Sequence, residues 1–168
     1  DLRVTDIDTL SCVIDAVGSL RIAIEARLCA HQSGSRLRVV SGNLVTAKPI
    51  GVVDGVDFHH TGEVRRIDRK AITRHLDEQN IVLLSSLGYS PTGEAFNLAC
   101  EDVATSVAVA LGADKLILFG EDTGIRDEDG ELLRELKPTR AAPLLANLGN
   151  SQPGTLLQAA CKACNAGL

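Results

Sequence analysis

A single stretch in the middle of the chain constrains the fold more than any other part of the sequence. It begins with a short apolar run at residues 81–84 and continues through a polar, glycine-containing segment at residues 88–97. Apolar residues then recur at helical spacing over residues 101–111, and Gly112 follows as a plausible helix stop. A second apolar run occupies residues 115–119. The pattern predicts a strand, a loop, a helix and a second strand, which together form a βαβ unit.

The composition supports a layered α/β fold. Apolar residues make up 45% of the chain but aromatic residues only 2%, so the core must consist largely of Leu, Ile, Val and Ala. Branched aliphatic side chains are typical of buried parallel strands covered by helices. The 168 residues suffice for one domain with a sizeable core and are too few for two ordinary ones. If the chain has a ligand pocket, we expect it at the loop after the first strand of the βαβ unit.

The charge and cysteine patterns exclude several classes of function. The net charge is −5 and the basic residues are scattered, so neither nucleic acid nor a membrane is expected as a partner. No apolar run approaches the roughly 20 residues that a membrane span needs, and no signal peptide opens the chain. Five cysteines, an odd number without the spacing of a disulfide framework, indicate a reducing, cytoplasmic environment.

Three features could suggest a metal, and none of them predicts one. Cys161 and Cys164 match C-x-x-C, but a tetrahedral zinc site needs two more ligands and the chain has no second pair. His59 and His60 are adjacent, so on a strand they would point to opposite faces. The acidic segment 122–136 lacks the alternating ligands of a calcium loop. We therefore predict no metal site, and free thiols at all five cysteines.

The remaining elements are predicted from caps, alternation and turn residues. Asp6 or Asp8 should cap a helix that reaches about Leu28, and Asp68 should cap a helix that reaches about Glu78. The predicted strands are residues 37–40, 44–47, 56–59 and 64–67, and a loop is predicted at residues 31–36. Hairpin turns are predicted at Thr61-Gly62 and at Asp129-Gly130, the second of which would join residues 124–127 to residues 132–136. The final helices are predicted at residues 141–148 and 154–166.

Several short motifs in this sequence resemble the amino acid kinase family. The resemblance covers nearly the whole chain, and within the family it is strongest to N-acetylglutamate kinase and to the kinase-like domain of N-acetylglutamate synthase. The motifs that carry it are Arg3-Val4-Thr5-Asp6, Ser41-Gly42-Asn43, Gly55-Val56-Asp57, Arg65-Arg66-Ile67-Asp68, Gly93-Glu94-Ala95-Phe96-Asn97 and the following Leu98-Ala99-Cys100-Glu101 with its Ala/Val-rich helix.

The resemblance implies a three-layer α/β fold, with a mostly parallel sheet and helices on both faces. It also implies that residues 1–168 form a partial amino acid kinase-like domain, truncated at both ends. The family's fold begins with a strand and a Gly-rich loop that cradles phosphate, and the chain shows neither. A C-terminal acetyltransferase domain, which follows the kinase-like domain in the synthases, is absent as well.

In the kinases, the Arg of the Arg3 motif grips the substrate carboxylate, a task that suits the parallel donors of a guanidinium. The resemblance therefore makes Arg3 and Asn97 candidate ligand-binding residues of an inherited acetylglutamate-like pocket. A surface charge remains the alternative for Arg3, and a helix cap the alternative for Asn97.

Other kinase positions are degenerate. Glu101 stands where the kinases carry Asp, Leu156 stands where they carry a charge-neutralising Lys, and Phe119-Gly120-Glu121 replaces a Thr-Asp pair. Because phosphoryl transfer depends on cations and acids around the transferred group, these changes imply that kinase activity is lost. We predict no catalytic residue in this chain.

The same departures are typical of the kinase-like domain of the synthases. The resemblance implies a regulatory and assembly domain in a cytoplasmic, homo-oligomeric enzyme that makes N-acetylglutamate from acetyl-CoA and L-glutamate. That reaction is the first step of arginine biosynthesis, and L-arginine inhibits it. Acetyl-CoA would be the co-substrate of the missing domain, and this chain itself would hold no cofactor. An ATP-dependent N-acetylglutamate kinase and a non-enzymatic arginine-sensing module remain the alternatives.

Overall fold

The computed structural model describes residues 3–30, 38–127 and 129–168. The loop predicted at residues 31–36 lies outside these ranges. Within the described ranges the chain divides into two compact units, one between residues 3 and 103 and the other between residues 104 and 168. Both helices and strands are present, as the sequence predicts for an α/β protein.

The first unit opens with a long helix, α1 (Ile7–Ala30). Asp6 caps it, because its Oδ1 accepts a hydrogen bond of 2.8 Å from the backbone N–H of Thr9. This bond satisfies one of the N–H groups that a helix leaves unpaired at its start. The choice between Asp6 and Asp8 is thereby settled in favour of Asp6, and the helix ends close to the predicted Leu28.

The first unit contains short strands in three groups. They are β1 (Val39–Val40), β2 (Val45–Pro49), β3 (Val52–Val53), β4 (Val56–Asp57), β5 (Gly62–Ile67), β6 (Ile81–Val82), β7 (Leu87–Tyr89) and β8 (Ala95–Asn97). The main sheet has the order β5-β2-β7-β8, while β1 pairs with β6 and β3 with β4. The β2–β7 and β1–β6 pairs are parallel and the others antiparallel. Ala47 of β2 and Phe96 of β8 are buried in the core.

The hairpin predicted at Thr61-Gly62 is wrong. β5 pairs with β2, and the tight hairpin joins β3 to β4 instead. Its turn is Asp54-Gly55, where both residues have positive φ, 50° and 80°. Asp-Gly is a preferred sequence for two-residue hairpin turns, so the signal was present in the sequence.

The segment predicted as a loop at residues 88–97 is also wrong, because most of it forms the β7–β8 hairpin. The backbone N–H of Ser90 donates to the carbonyl of Glu94 across the turn (2.8 Å), and Gly93 has φ 92°. The strands on either side have three residues each, so the polar turn dominates the local pattern. The predicted βαβ unit therefore contains an additional hairpin before its helix.

Two predicted helices form with the expected ends. Asp68 caps α2 (Arg69–Asp77) by accepting a hydrogen bond of 3.0 Å from the N–H of Ala71. α3 (Cys100–Leu111) stops at Gly112, which has φ 62°. The Gly112 N–H donates to Val109 (3.1 Å) and the next N–H donates to Ala108 (3.0 Å), the pattern of a Schellman C-cap.

In the second unit the strand predicted at residues 115–119 is wrong. A strand needs a partner, and the described residues of this unit contain no other strand. Two of its apolar side chains are exposed, Ile117 at 69% and Phe119 at 90% of their maximal area, while Leu116 and Leu118 are half-buried.

The rest of the second unit is helical or turn-like. The turn at Asp129-Gly130 closes with a bond from the Asp127 N–H to the Glu131 carbonyl (2.9 Å), and the strands predicted beside it reduce to one bridge, Arg126 with Leu132. A 3-10 turn (Pro138–Arg140), α4 (Ala142–Leu148) and α5 (Gln152–Asn165) follow. Within the described ranges, no helix is both long and apolar enough to span a membrane.

Candidate functional site

Three segments that are far apart in sequence meet in the first unit. Thr5 forms a parallel bridge with His59, and Thr61 forms one with Asn97. The backbone N–H of His60 donates to the Thr5 carbonyl (2.9 Å), and the N–H of Asn97 donates to the His60 carbonyl (2.8 Å). We call the set Arg3, Thr5, His60, Thr61 and Asn97 the junction. It holds the residues before α1 against the end of β8.

Side chains connect the same segments inside the junction. The Nδ2 of Asn97 donates to the Oγ1 of Thr5 at 3.2 Å. The hydroxyl oxygens of Thr5 and Thr61 lie 2.8 Å apart, and the Thr61 hydroxyl also donates to the backbone carbonyl of Arg3. Thr5 is fully buried and Thr61 is 8% exposed. Buried hydroxyls need partners, and these two find them in each other and in their neighbours.

The direction of these bonds follows from the inventory of protons. A threonine hydroxyl has one proton, so Thr61 can donate to only one of its two partners. The Arg3 carbonyl can only accept, so it takes the Thr61 proton, and Thr5 donates to the Thr61 oxygen in turn. The bonds then run in one direction, from the Asn97 amide through Thr5 and Thr61 to the Arg3 carbonyl. Aligned hydrogen bonds of this kind polarise and strengthen one another.

The structure thus brings the two predicted ligand-binding residues, Arg3 and Asn97, into one connected group. The side chain of Arg3 is exposed, while its carbonyl is held by Thr61. Asn97 is the last residue of β8, and its amide donates to Thr5 instead of turning onto the backbone of α3, which begins at Cys100. The helix-cap alternative for Asn97 is therefore not the observed arrangement. Carboxylate binding by the pair stays a prediction.

Sequence reasoning assigned Thr61 to a turn and missed its contacts with Arg3, Thr5 and Asn97. A close approach of the backbone explains the glycine beside it. A Cβ placed on Gly62 would lie 2.7 Å from the Cβ of Phe96 and 2.9 Å from the carbonyl oxygen of Lys48, both too short for real contacts. The absence of a side chain at position 62 lets β5 start against β8 and brings Thr61 to Asn97.

Glu101 and Leu156, the degenerate kinase positions, lie in different helices. Glu101 lies in the first turn of α3. Leu156 lies in α5, and its Cδ1 would be 2.8 Å from a Cβ built on Gly120. In the same turn of α5, the Oε1 of Gln152 accepts a hydrogen bond of 2.8 Å from the N–H of Glu121. Residues 119–121, which replace the kinase Thr-Asp pair, thus lie against the aliphatic side chain of Leu156 and the neutral amide of Gln152.

The second unit also has a shallow cleft of about 280 Å³ whose wall combines charged residues from the turn segment with apolar residues from the helices. Arg126 is its cation, and its guanidinium donates to the Gly130 carbonyl (2.8 Å) and to the Thr123 hydroxyl (3.4 Å). These bonds use the guanidinium to close the turn.

Within the described ranges, no three His, Cys, Asp or Glu side chains gather as metal ligands. The two histidines have separate surroundings: the Nδ1 of His59 lies 3.6 Å from an Asp57 carboxylate oxygen, while the ring of His60 lies 6.3 Å from that of Phe96. All five cysteines are free thiols in the structure.

Two of these thiols have raised pKa values. Burial raises the pKa of the Cys100 thiol, and the negative charge of Glu101 adds to the effect. Burial likewise raises the pKa of Cys161, with a smaller contribution from Cys164. Reactive thiols usually have lowered pKa values, so redox chemistry at these positions is not favoured.

Comparisons with known proteins agree with this fold. The model of the amino acid kinase family matches residues 3–168. An amino-acid acetyltransferase of Ectopseudomonas mendocina is 65% identical over 100% of this chain and 40% of its own length. One from Pseudomonas putida is 64% identical over 99% of this chain and 40% of its own length. The chain thus spans two fifths of the length of these curated relatives.

Solved structures of N-acetylglutamate synthase are similar in fold to this chain. The N-acetylglutamate synthase of Neisseria gonorrhoeae, complexed with coenzyme A and N-acetyl-glutamate, superposes with a TM-score of 0.90 at 38% identity, over 99% of this chain and 38% of that one. The complex with coenzyme A and L-arginine has the same TM-score and identity, over 99% of this chain and 40% of that one. The α/β, amino acid kinase-like fold is confirmed, and the chain belongs to the amino acid kinase family.

Proposed function

We propose that this chain is the kinase-like part of an N-acetylglutamate synthase. In the whole enzyme, acetyl is transferred from acetyl-CoA to L-glutamate by a separate acetyltransferase domain, and this part regulates and assembles the enzyme. The observation that carries the proposal is the 65% identity to an amino-acid acetyltransferase over 100% of the chain. The relation to the gonococcal synthase, with a TM-score of 0.90, supports it independently.

The surroundings of Leu156 favour this role over kinase activity. A phosphotransferase must neutralise negative charge that develops on the transferred group, and each properly placed cation lowers the barrier by several kcal/mol. At Leu156 the side chain is aliphatic and packs on Gly120, next to the Glu121 backbone that Gln152 holds. A longer Glu101 in place of Asp adds to this loss.

We further propose that L-arginine inhibits the parent enzyme as a feedback regulator of arginine biosynthesis, in the cytoplasm and in a homo-oligomer. Support comes from the gonococcal relative, whose solved structures include a complex with L-arginine. The chain itself needs no cofactor for this role, and acetyl-CoA belongs to the catalytic domain.

Arg3 and Asn97 form the ligand-binding pair of an inherited carboxylate site in this proposal. The guanidinium of Arg3 is exposed and can offer two parallel N–H groups to one carboxylate. The amide of Asn97 belongs to the same junction, linked to Arg3 through Thr5 and Thr61. A ligand of the N-acetylglutamate type has two carboxylates and an amide, which match these donors.

Enzyme assays of the full-length parent test the proposal. We expect release of free coenzyme A from acetyl-CoA only when L-glutamate is present, and less release when L-arginine is added. N-acetylglutamate-dependent release of ADP from ATP would instead establish the kinase alternative. Arginine binding without either reaction would establish a non-enzymatic sensing module.

A further inference from the structure

We infer that Thr61 is a positioning residue that sets the geometry of the Arg3 and Asn97 pair; this rests on the carboxylate site proposed above. Neither threonine of the junction is assigned a role by the family resemblance. The Thr61 hydroxyl is linked to both members of the pair: it bonds directly to the Arg3 carbonyl, and it is connected to the Asn97 amide through the Thr5 hydroxyl.

At one end of the pair, Thr61 acts on the backbone of Arg3. This residue precedes α1, and its side chain is exposed. A long side chain on a freely moving backbone would lose considerable conformational entropy on gripping a carboxylate. The bond from Thr61 fixes the backbone of Arg3 before any ligand binds, so part of this conformational entropy has already been lost in the unliganded chain.

At the other end of the pair, the Thr5 hydroxyl orients the Asn97 amide. An asparagine amide can rotate, and a carboxylate needs an N–H group pointing at it. The Thr5 oxygen accepts one of the two Nδ2 protons at 3.2 Å, which sets the rotation of the amide and the direction of its second proton. Thr5 can hold this position because its own proton goes to Thr61, 2.8 Å away.

The test uses the full 168-residue chain, N-acetyl-L-glutamate as the probe and calorimetry as the readout. We expect Thr61→Val to weaken binding roughly tenfold, since the bonds of Thr61 to the Arg3 carbonyl and to the Thr5 hydroxyl are both lost. Thr61→Ser keeps the hydroxyl and should restore binding to near the wild-type value. Thr73→Val, an exposed threonine of α2 in the same unit, is the matched control and should leave affinity unchanged.

A double-mutant cycle separates positioning from simple destabilisation. If one continuous chain of bonds sets the pair, Thr5→Val should weaken binding as much as Thr61→Val, and the double variant should lose little more than either single one. Thermal melting by circular dichroism, recorded for every variant, verifies that each one folds.

Two outcomes would overturn the inference. One is a lower melting temperature for Thr61→Val with unchanged affinity, because the threonine would then be structural only. The other is a wild-type chain that binds no N-acetyl-L-glutamate, since there would be no pair to position. Neither outcome affects coenzyme A release by the parent enzyme, so the failure of this inference and that of the acetyltransferase proposal can be told apart.

Discussion

Gly88, in β7, lies where the sheet has no room for a side chain. A Cβ there would be 2.7 Å from Cδ1 of Leu98 and 2.8 Å from the Cβ of Ala47, and Ala47 is completely buried. We expect Gly88→Ala to lower the free energy of unfolding by about 1–3 kcal/mol through overpacking. Urea denaturation would measure it. Gly18→Ala is the control: no atom lies within 4 Å of the added Cβ in the middle of α1, so it should stabilise by about 0.5–1 kcal/mol.

Asp6 should make the stability depend on pH in the acid range. Hydrogen bonds from the side chain and the backbone of Thr9 hold the pKa of the Asp6 carboxyl below its ordinary value. A folded-state pKa below the unfolded one contributes stability above the unfolded value, and this contribution disappears as pH falls through the folded value. Thermal melts from pH 7 down to about pH 2 should therefore show a steeper loss for wild type than for Asp6→Asn, which caps α1 without titrating. If the melting temperatures of wild type and Asp6→Asn fell equally with pH, the lowered pKa of Asp6 would be contradicted.

The residues that sequence reasoning placed correctly are those with local partners. Asp6 and Asp68 bond to N–H groups three residues away, so their roles can be inferred from a short window. Thr61 bonds to partners 56 and 58 positions away, and Asn97 bonds across 92 positions. No periodicity or turn signal encodes such distant pairings. For Arg3 and Asn97 only the family motifs supplied the hypothesis.

At the level of elements, the C-terminus of α3 depends on one backbone conformation. Gly112 has φ 62° and closes a Schellman cap with Val109. We expect Gly112→Ala to cost about 1 kcal/mol in unfolding free energy, since a Cβ disfavours the left-handed region, and Gly112→Asn to cost less. Thermal unfolding of the two variants measures this order. A Gly112→Ala variant that melts at or above the wild-type temperature would show that the cap contributes little to stability.

Helices were predicted more accurately than strands for a physical reason. α2 and α3 carry their caps and apolar stripes within their own sequence, so their bounds were nearly right. Strands need partners from elsewhere, which is why residues 115–119, although apolar, form no ladder. The misplaced hairpin has the same origin, because Thr61-Gly62 and Asp54-Gly55 both carry turn residues and only the pairing of β5 with β2 decides between them.

At the scale of the whole molecule, the chain should not phosphorylate N-acetylglutamate. We expect no N-acetylglutamate-dependent release of ADP above the buffer rate in a coupled assay. Leu156→Lys should not create activity, because Glu101 and Glu121 still differ from the kinase residues and an ammonium group would have to displace contacts with Gly120. Measurable turnover in this variant would mean that the remaining kinase geometry is intact.

The long sequence separations within the junction have a consequence for folding kinetics. Thr5 reaches Asn97 across 92 residues, so the junction requires a large loop closure and cannot form before β8 is available. We therefore expect it to form after the folding transition state. Thr61→Val should accelerate unfolding and leave the refolding rate nearly unchanged in stopped-flow urea experiments. Equally slowed refolding would instead identify the junction as part of the folding nucleus, and the start of the chain would then be recruited early.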